Sequence, residues 1–363
     1  MEHMDAPLLE RYSRQILFAE IGEQGQERLR QASAVVVGCG ALGTALANLL
    51  VRAGVGRLRI VDRDFVEPSN LQRQTLFEEA DAREALPKAI AAQRRLAAIN
   101  SDVRVEGVVA DLSPPNAQEC LGEFPLLLDG TDNFETRLLL NDYAVCHGVP
   151  WVYAAAVSSY GVTLAIRPGE TACLACLTES SQAAARGAQE DAPSGARENA
   201  AAAALEPTCD TVGVLGAAAG VIASLQAASA MKLLLGKSQP LDDRLISCDV
   251  WTGRFQSIRV ARRADCRACG RREFRYLEGQ AQPHLTMCGR DSVQIHERRR
   301  HLDLAALGRQ LMAGGHTVRH NAFLLRLGVA PYELTVFSDG RAIIKGTRDP
   351  AVARSLYARY VGT

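Results

Sequence analysis

Short apolar runs and a stretch with helical spacing alternate over the first part of the chain. Residues 34–39 (AVVVGC) form a β-branched run, and residues 57–62 (RLRIVD) form a second one. Between them, residues 44–55 (TALANLLVRAGV) have the apolar spacing of a helix that closes near Gly54. A strand, a glycine turn, a helix and a second strand predict parallel strands joined by a right-handed crossover.

The same alternation continues along the chain. Residues 88–100 have helical spacing, and further strands are predicted at 103–110, 125–133, 149–156 and 161–168. The apolar stretch 212–236 is long enough to span a membrane, but its many Ala and Gly residues and a central Gln226 favour a tightly packed buried helix. We therefore predict an α/β fold with a Rossmann-like, doubly wound, mostly parallel sheet.

The pattern divides the chain into two domains. The α/β pattern occupies residues 1–275, and an Ala-rich segment with scattered charges interrupts it at about 178–206, which predicts a mobile loop. A polar linker over 276–284 leads to short strands and two helices over 285–363. We expect this last part to be a small α+β domain of unknown role.

Charge and cysteine content narrow the class of protein. The chain has 41 basic and 41 acidic residues, so no overall field predicts a nucleic-acid or membrane partner. Its N-terminus contains acids and lacks the apolar core of a secretion signal. Ten cysteines in 363 residues, with two C-x-x-C pairs, favour metal binding in a reducing cytoplasm over a disulfide scaffold.

A glycine-rich turn follows the first predicted strand. Gly38, Gly40 and Gly43 form G-x-G-x-x-G ahead of a predicted helix, where backbone N–H groups and the helix N-terminus favour a phosphate. Asp62 ends the next strand, where an acid accepts hydrogen bonds from ribose hydroxyls. These residues predict nucleotide binding but fit NAD, FAD and ATP equally.

The polar residues that follow favour ATP over NAD and FAD. They are an acid, an amide, two cations and a second acid, namely Asp64, Asn70, Arg73, Lys88 and Asp132. Cations near a triphosphate neutralise charge that moves during attack on the α-phosphate, and Asp132 follows a strand, where it could hold Mg²⁺. No hydride-transfer constellation is apparent in the sequence, so an NAD-dependent oxidoreductase is disfavoured.

The two C-x-x-C pairs are a second candidate site. They place four thiols, Cys173, Cys176, Cys266 and Cys269, about ninety residues apart in two pairs. Four thiolates suit a tetrahedral Zn²⁺ with no open position, which predicts a structural zinc site. A redox-active or incidental C-x-x-C remains the alternative for either pair.

Together these residues resemble the motifs of the ThiF/MoeB/HesA family, the bacterial relatives of ubiquitin-activating enzymes. The matching segments cover about residues 10–270 and read RYSRQ, GCGALG, DRDFVEPSNLQRQ, LPKA, DGTDN, CLAC with CRAC, and PTCDTVGVLG. The resemblance implies adenylation of the C-terminal glycine of a small ubiquitin-like sulfur carrier protein that ends in Gly-Gly. The implied reaction would consume ATP, release pyrophosphate and prepare the carrier for thiocarboxylate formation in thiamine, molybdopterin or related biosynthesis.

The resemblance also implies roles for individual residues. Asp62 would bind the ribose, Asp132 would place Mg²⁺, and the phosphates would be contacted by Asn70, Arg73 and Lys88. Arg14 would reach into the site of a partner subunit, and the single copy of the fold implies a homodimer with two sites. Further nucleotide contacts are expected from Asp64, Ser69, Asn133 and Ala41, although Ala41 stands where the family usually has glycine, and EALP before Lys88 departs from the usual pattern.

Cys209 is the least certain catalytic residue. It follows the Ala-rich segment, at the position of a cysteine that some family members join to the carrier or use in sulfur relay. A thiol on a mobile loop can reach an acyl-adenylate, whereas an inert cysteine is the alternative. A relay would need a cysteine desulfurase or another sulfur donor as a partner, and Cys288 is more simply a loop cysteine. Besides the adenylyltransferase and the disfavoured NAD-dependent oxidoreductase, a third hypothesis is a non-catalytic scaffold that binds a ubiquitin-like protein.

Overall fold

The computed structural model describes residues 6–178, 212–237, 243–280, 292–295 and 302–362. It contains two compact units, Met1–Ala281 and Gln282–Thr363. The division falls within the linker expected at 276–284. Cys209, Cys288 and most of the expected mobile loop lie outside the described residues.

The first unit is built on a large sheet. Within the described residues its strands are β1 (Ser33–Val37), β2 (Arg57–Asp62), β3 (Arg104–Val109), β4 (Leu127–Asp129), β5 (Trp151–Val157), β6 (Tyr160–Ile166), β7 (Arg244–Asp249) and β8 (Arg254–Arg259). Their order is β3-β2-β1-β4-β5-β6-β7-β8. The strands from β3 to β5 are parallel, and β6, β7 and β8 are antiparallel to their neighbours. The predicted Rossmann-like, mostly parallel sheet is confirmed, while β7 and β8 had no sequence prediction.

Helices lie on both faces of this sheet. In the described residues they are α1 (Ala6–Ile16), α2 (Gly22–Gln31), α3 (Ala41–Arg52), α4 (Glu79–Arg83), α5 (Lys88–Ile99), α6 (Ala117–Leu121), α7 (Phe134–His147) and α8 (Gly216–Leu234). Alternate residues of β1 serve the two faces, because successive strand side chains point to opposite sides. Val36 belongs to the core with Leu46 of α3 and Ile222 of α8, whereas Val35 belongs to the core with Leu140 of α7.

Helix α1 packs at the edge of the sheet where the parallel strands begin. The hydroxyl of Tyr12 accepts a hydrogen bond from Asn100, which precedes β3, at 2.9 Å. The side chain of Gln15 donates to the carbonyl of Ala53, which precedes β2, at 2.9 Å. The residues predicted to bind a nucleotide lie at the other end of the strands, where β1 and β2 end, and this end of the sheet is named the nucleotide edge.

Helix α8 is the apolar helix predicted for residues 212–236. It is long and apolar enough to cross a membrane, with a mean hydropathy of 1.4. Ala219, Ile222 and Ala223 are fully buried in the core of the unit, and the side chain of Gln226 is fully buried as well. These residues pack into the core as expected, and 39% of the apolar window of the helix is buried.

The second unit has its own sheet and core. The described strands are β9 (Ser292–Ile295), β10 (Val318–His320), β11 (Leu324–Val329), β12 (Tyr332–Phe337) and β13 (Ala342–Lys345), in the antiparallel order β10-β11-β12-β13-β9. The helices α9 (Leu304–Ala313) and α10 (Pro350–Tyr360) pack on it through Leu311 and Tyr357. The small α+β unit matches the fold predicted for this part.

Candidate active site

The glycine motif forms a tight turn between β1 and α3. Gly38 has a φ of +88°, a conformation that side chains rarely adopt. A Cβ on Gly43 would lie 1.9 Å from the carbonyl oxygen of Gly38, so only glycine fits at that position. Helix α3 begins at Ala41 with Gly40 as its N-cap, so the helix N-terminus faces the open end of the turn. Its partial positive charge favours a phosphate there.

Asp62 at the end of β2 fastens this turn. Its carboxylate accepts the backbone N–H of Cys39 at 2.5 Å and that of Asp64 at 2.7 Å. Burial raises the pKa of Asp62 to about 6, against the lowering effect of the Lys88 charge and of these two N–H donors. Asp62 is thus a buried carboxylate held at the nucleotide edge, and its contact with a ribose stays a prediction.

Lys88 lies beside the same carboxylates. Its Nζ is 3.1 Å from the Asp64 carboxylate, and only 9% of its side chain is exposed. The backbone N–H of Lys88 also donates to the Asp64 carbonyl at 2.9 Å, which fixes the LPKA segment to the strand end. Burial lowers the pKa of Lys88, but the charges of Asp64, Asp62 and Asp132 outweigh it and the pKa is raised. Lys88 is therefore a cation at neutral pH.

The segment after Asp64 carries the predicted phosphate contacts. Residues Pro68–Asn70 form one turn of 3-10 helix, and the Asn70 side-chain oxygen accepts the backbone N–H of Glu67 at 3.0 Å. The Arg73 guanidinium donates to the carbonyl of Ser69 at 2.8 Å. Both side chains are thus held by local contacts, and Asn70 is buried.

Asp132 and Asn133 lie between β4 and α7. Asn133 is the N-cap of α7, and its side chain accepts the backbone N–H of Thr136 at 2.8 Å. Asp132 is exposed, and its charge acts on both Lys88 and Arg137, where it favours the cationic forms. An exposed carboxylate beside a buried cation at this edge suits Mg²⁺ bound mainly by phosphate oxygens.

The structure thus brings most of the predicted nucleotide residues to one edge of the sheet. Arg14 is the exception within the chain. It is exposed on α1, at the opposite edge, and the six residues of β2 separate the two edges. At a rise of about 3.3 Å per residue, that is roughly 20 Å, which exceeds the reach of an arginine side chain.

The four predicted metal ligands come together in the core between the sheet and helix α7. The sulfur atoms of Cys173, Cys176, Cys266 and Cys269 all lie within 4.8 Å of one another, and all four residues are buried. Hydrogen bonds from Cys173 lower the pKa of Cys176 and that of Cys269, each to about 6. The hydrogen bonds within the cluster raise the pKa of Cys173 itself well above its usual value. A compact set of four buried sulfurs is compatible with tetrahedral zinc.

Helix α7 positions both C-x-x-C segments. The Asn141 side chain accepts the backbone N–H of Leu174, in the first segment, at 2.8 Å. Asp142 binds Arg267, in the second segment, through two contacts of 2.9 and 3.1 Å, and it also accepts the Tyr276 N–H at 3.0 Å. Sequence reasoning missed both residues, because a polar pair inside a helix gives no sign of partners 33 and 125 positions away.

Sequence reasoning also missed the polar residues beneath Asp132. Asp129 is fully buried at the end of β4, and its carboxylate lies 3.2 Å from the Nε of Arg137. An available signal was the acid itself, which follows the apolar run Leu126–Leu128 and therefore needs a buried partner.

Comparison with known proteins adds to this geometry. Residues 12–268 match the ThiF family. The chain is 42% identical over 357 residues to the sulfur carrier protein ThiS adenylyltransferase of Bacillus subtilis (strain 168), covering 97% of this chain and 99% of that protein. It is 41% identical over 267 residues to the sulfur carrier protein adenylyltransferase of Thermus thermophilus, covering 72% of this chain and 91% of that protein.

Solved structures agree on the fold. The crystal structure of E. coli MccB with ATP is similar with a TM-score of 0.59 and 24% identity, covering 74% of this chain and 76% of that one. A likeness at this identity shows the shared architecture alone.

Proposed function

Because the chain belongs to the ThiF family, we propose that it is an ATP-dependent adenylyltransferase that acts on the C-terminal carboxylate of a small sulfur carrier protein. The observation that carries this function is the identity of 42% along nearly the whole of a sulfur carrier adenylyltransferase. The residues at the nucleotide edge fit the same chemistry. An NAD-dependent oxidoreductase and a non-catalytic scaffold are not favoured.

The reaction joins the carrier to AMP. A carboxylate oxygen of the carrier's terminal glycine attacks the α-phosphorus of ATP, the bond to pyrophosphate breaks, and a mixed anhydride forms. The glycine turn offers backbone N–H groups and a helix N-terminus to the phosphates, and Asp62 offers a carboxylate to the ribose. Lys88 and Arg73 supply positive charge for the phosphates as negative charge moves onto the leaving group.

Asp132 is the residue of this chain proposed to hold Mg²⁺. Bound Mg²⁺ would neutralise phosphate charge and orient the leaving group. One carboxylate from the protein with the remaining positions from phosphates and water is the usual environment of Mg²⁺ at a nucleotide. Ala41, Ser69, Asn70 and Asn133 remain proposed nucleotide contacts.

Arg14 is proposed to serve the site of a second copy of this chain. It lies at the opposite edge of the sheet from its own nucleotide site, so a contribution within one subunit would need a large rearrangement. A symmetric homodimer in which each α1 helix reaches the neighbouring site removes that difficulty. The proposed role of Arg14 therefore requires the dimer.

We further propose that the carrier is of the ThiS type. The relative named for ThiS covers 97% of this chain, which includes the C-terminal unit, whereas the Thermus thermophilus relative covers 72%.

We propose that the carrier docks on the outer strand β8 of the large sheet. All six residues of β8 are exposed. Phe255 in this strand is 61% exposed, and Trp251, which precedes the strand, is 80% exposed. An edge strand with exposed aromatic residues is a surface on which another sheet can pair.

The remaining features are proposed to serve this activity. Zn²⁺ at the four cysteines would be structural, since four protein ligands leave no open position. Cys209 is proposed to take part in sulfur transfer after adenylation, with a sulfur donor such as a cysteine desulfurase as a second partner. A reducing cytoplasm suits these thiols.

Carrier-dependent exchange of pyrophosphate into ATP tests the function. We expect exchange with Mg²⁺, ATP and a ThiS-type carrier that ends in Gly-Gly, and none with the same carrier lacking its last glycine. A panel of other Gly-Gly carriers serves to test the choice of carrier. Absence of exchange with every carrier, together with tight binding of NAD, would refute the proposed activity.

A further inference from the structure

Strands β4 and β5 separate just below the nucleotide edge. They pair as Leu127↔Trp151 and Leu128↔Val152, and their pairing ends there. β5 continues to Val157 alongside β6. Buried backbone groups beyond the last pair need other partners, because an unpaired N–H or C=O away from water is costly.

Side chains supply these partners on one side of the gap. Gln226 of α8 is fully buried, and its amide nitrogen donates to the carbonyl of Asp129 at 2.7 Å and to that of Val152 at 3.0 Å. One amide thus bridges the two diverging strands. The bridge ties the end of β4 to α8.

An ion pair supplies partners on the other side. The Asp129 carboxylate accepts the N–H of Thr131 at 2.8 Å and its hydroxyl at 2.7 Å. Arg137 contacts that carboxylate at 3.2 Å and donates to the carbonyls of Thr131 at 2.6 Å and Ala154 at 3.3 Å. The backbone of Thr131 is therefore held at both its N–H and its carbonyl, directly before Asp132.

The loop is also held against the glycine turn. The N–H of Gly130 donates to the carbonyl of Val37 at 2.7 Å. A Cβ on Gly130 would lie 2.4 Å from the carbonyl oxygen of Gly38. The two loops that would hold the phosphates and the metal are thus in direct backbone contact.

We propose that Asp129 and Arg137 are positioning residues that set the orientation of Asp132 toward Mg²⁺–ATP, with Gln226 of α8 holding the end of β4, which carries Asp129. This inference rests on the proposed role of Asp132. A buried ion pair adds little to stability, because the loss of hydration offsets the attraction between its charges. An orienting role accounts for its presence under an exposed metal ligand, since residues behind a ligand commonly change metal affinity by about 10–100-fold.

Asp129→Asn tests the proposal, because it keeps the shape and removes the charge that Arg137 binds. Isothermal titration with a non-hydrolysable ATP analogue, with and without Mg²⁺, gives the factor by which Mg²⁺ tightens binding. We expect this factor to fall about tenfold in Asp129→Asn. Affinity for the metal-free analogue should stay near that of the wild type, a separation that general loss of structure would not produce.

Asp142→Asn is the matched control. It makes the same change in another buried Asp–Arg pair, whose side chains are 0% and 9% exposed. We expect it to lower the melting temperature to a similar extent and to leave the Mg²⁺ factor unchanged. Asp132→Ala is the positive control and should abolish the factor.

The outcomes separate the two proposals. If Asp132→Ala loses the Mg²⁺ factor and Asp129→Asn keeps it, the positioning role is wrong while the proposed metal ligand stands. If Asp132→Ala keeps the factor, the metal role of Asp132 fails and the positioning role fails with it. Should Asp129→Asn not fold, two variants of Thr131 take its place. Thr131→Val removes the hydroxyl hydrogen bond to Asp129 and should lower the Mg²⁺ factor severalfold, whereas Thr131→Ser keeps the hydroxyl and should keep the factor. Equal Mg²⁺ factors in these two variants would refute the proposal.

Discussion

The pKa of Asp62 leads to a prediction in which nucleotide binding and protein stability respond oppositely to pH. With a pKa of about 6, Asp62 is ionised at pH 7.5 and mostly protonated at pH 5. Only the ionised form leaves both carboxylate oxygens free of a proton for ribose hydroxyls. A hydrogen bond to a charged group contributes about 1.5–3 kcal/mol, and roughly a tenth of Asp62 stays ionised at pH 5. We therefore expect affinity for an ATP analogue to fall roughly six- to tenfold between these pH values.

Asp62→Asn supplies the comparison. ATP phosphates also titrate in this range, so the quantity to measure is the ratio of the two proteins' Kd values at each pH. The Kd of Asp62→Asn divided by that of the wild type should be large at pH 7.5 and roughly six- to tenfold smaller at pH 5, because protonation removes most of the wild-type advantage. Fluorescence or calorimetric titration measures it. A ratio that stays constant from pH 5 to 7.5 would refute the reasoning about Asp62.

Stability should change in the other direction. Burial raises the folded-state pKa of Asp62 from its usual 3.8 to about 6, so the folded protein binds this proton more tightly than the unfolded chain. The contribution is present below pH 4 and is lost as the pH rises through 6. Two pH units correspond to about 3 kcal/mol, so the unfolding free energy of the wild type relative to Asp62→Asn should fall by about that amount from pH 4 to 7.5. Urea unfolding at the two pH values measures the difference.

Three further predictions concern the metal, the dimer and the sulfur chemistry. Metal analysis of protein purified without chelator should find one Zn²⁺ per chain, and Cys269→Ser should lose it and unfold more easily while its affinity for the ATP analogue changes little; a wild type without zinc would contradict this. Arg14→Ala and Asp132→Ala should each be inactive and should regain activity when mixed, because a hybrid dimer contains one site free of both changes; no recovery after demonstrated subunit exchange would place Arg14 in its own subunit's chemistry. Cys209→Ser should leave pyrophosphate exchange intact and reduce thiocarboxylate formation; if this variant forms thiocarboxylate at the wild-type rate with a sulfur donor supplied, Cys209 has no role in sulfur transfer.

The sequence predicted well what depends on neighbouring residues. The strand, glycine turn and helix around Gly38 follow from local spacing, and the structure has them at β1 and α3. The C-x-x-C pairs have a spacing that only metal or redox chemistry commonly explains, and the structure brings their sulfurs together.

Features that depend on distant residues were not predictable in this way. Gln226 bonds to Asp129, 97 positions earlier, and Asp142 bonds to Arg267, 125 positions later. Neither pair has a short pattern, since any amide or acid in an apolar segment looks alike until the fold supplies its partner. β8 was missed for a different reason, because both of its faces are exposed and its residues therefore show no apolar alternation.

The clamp of four cysteines also has a topological consequence. Cys173 and Cys266 are 93 positions apart in sequence, and their sulfur atoms are in contact. Helix α7 contacts both C-x-x-C segments, through Asn141 and Asp142. On the two sides of residues 179–211, β6 and β7 are neighbours in one sheet. A backbone cut within 179–211 would therefore leave two fragments joined by a shared sheet and by the shared cluster of four cysteines. Such a nicked molecule would run as two pieces in denaturing gels and as one particle under native conditions.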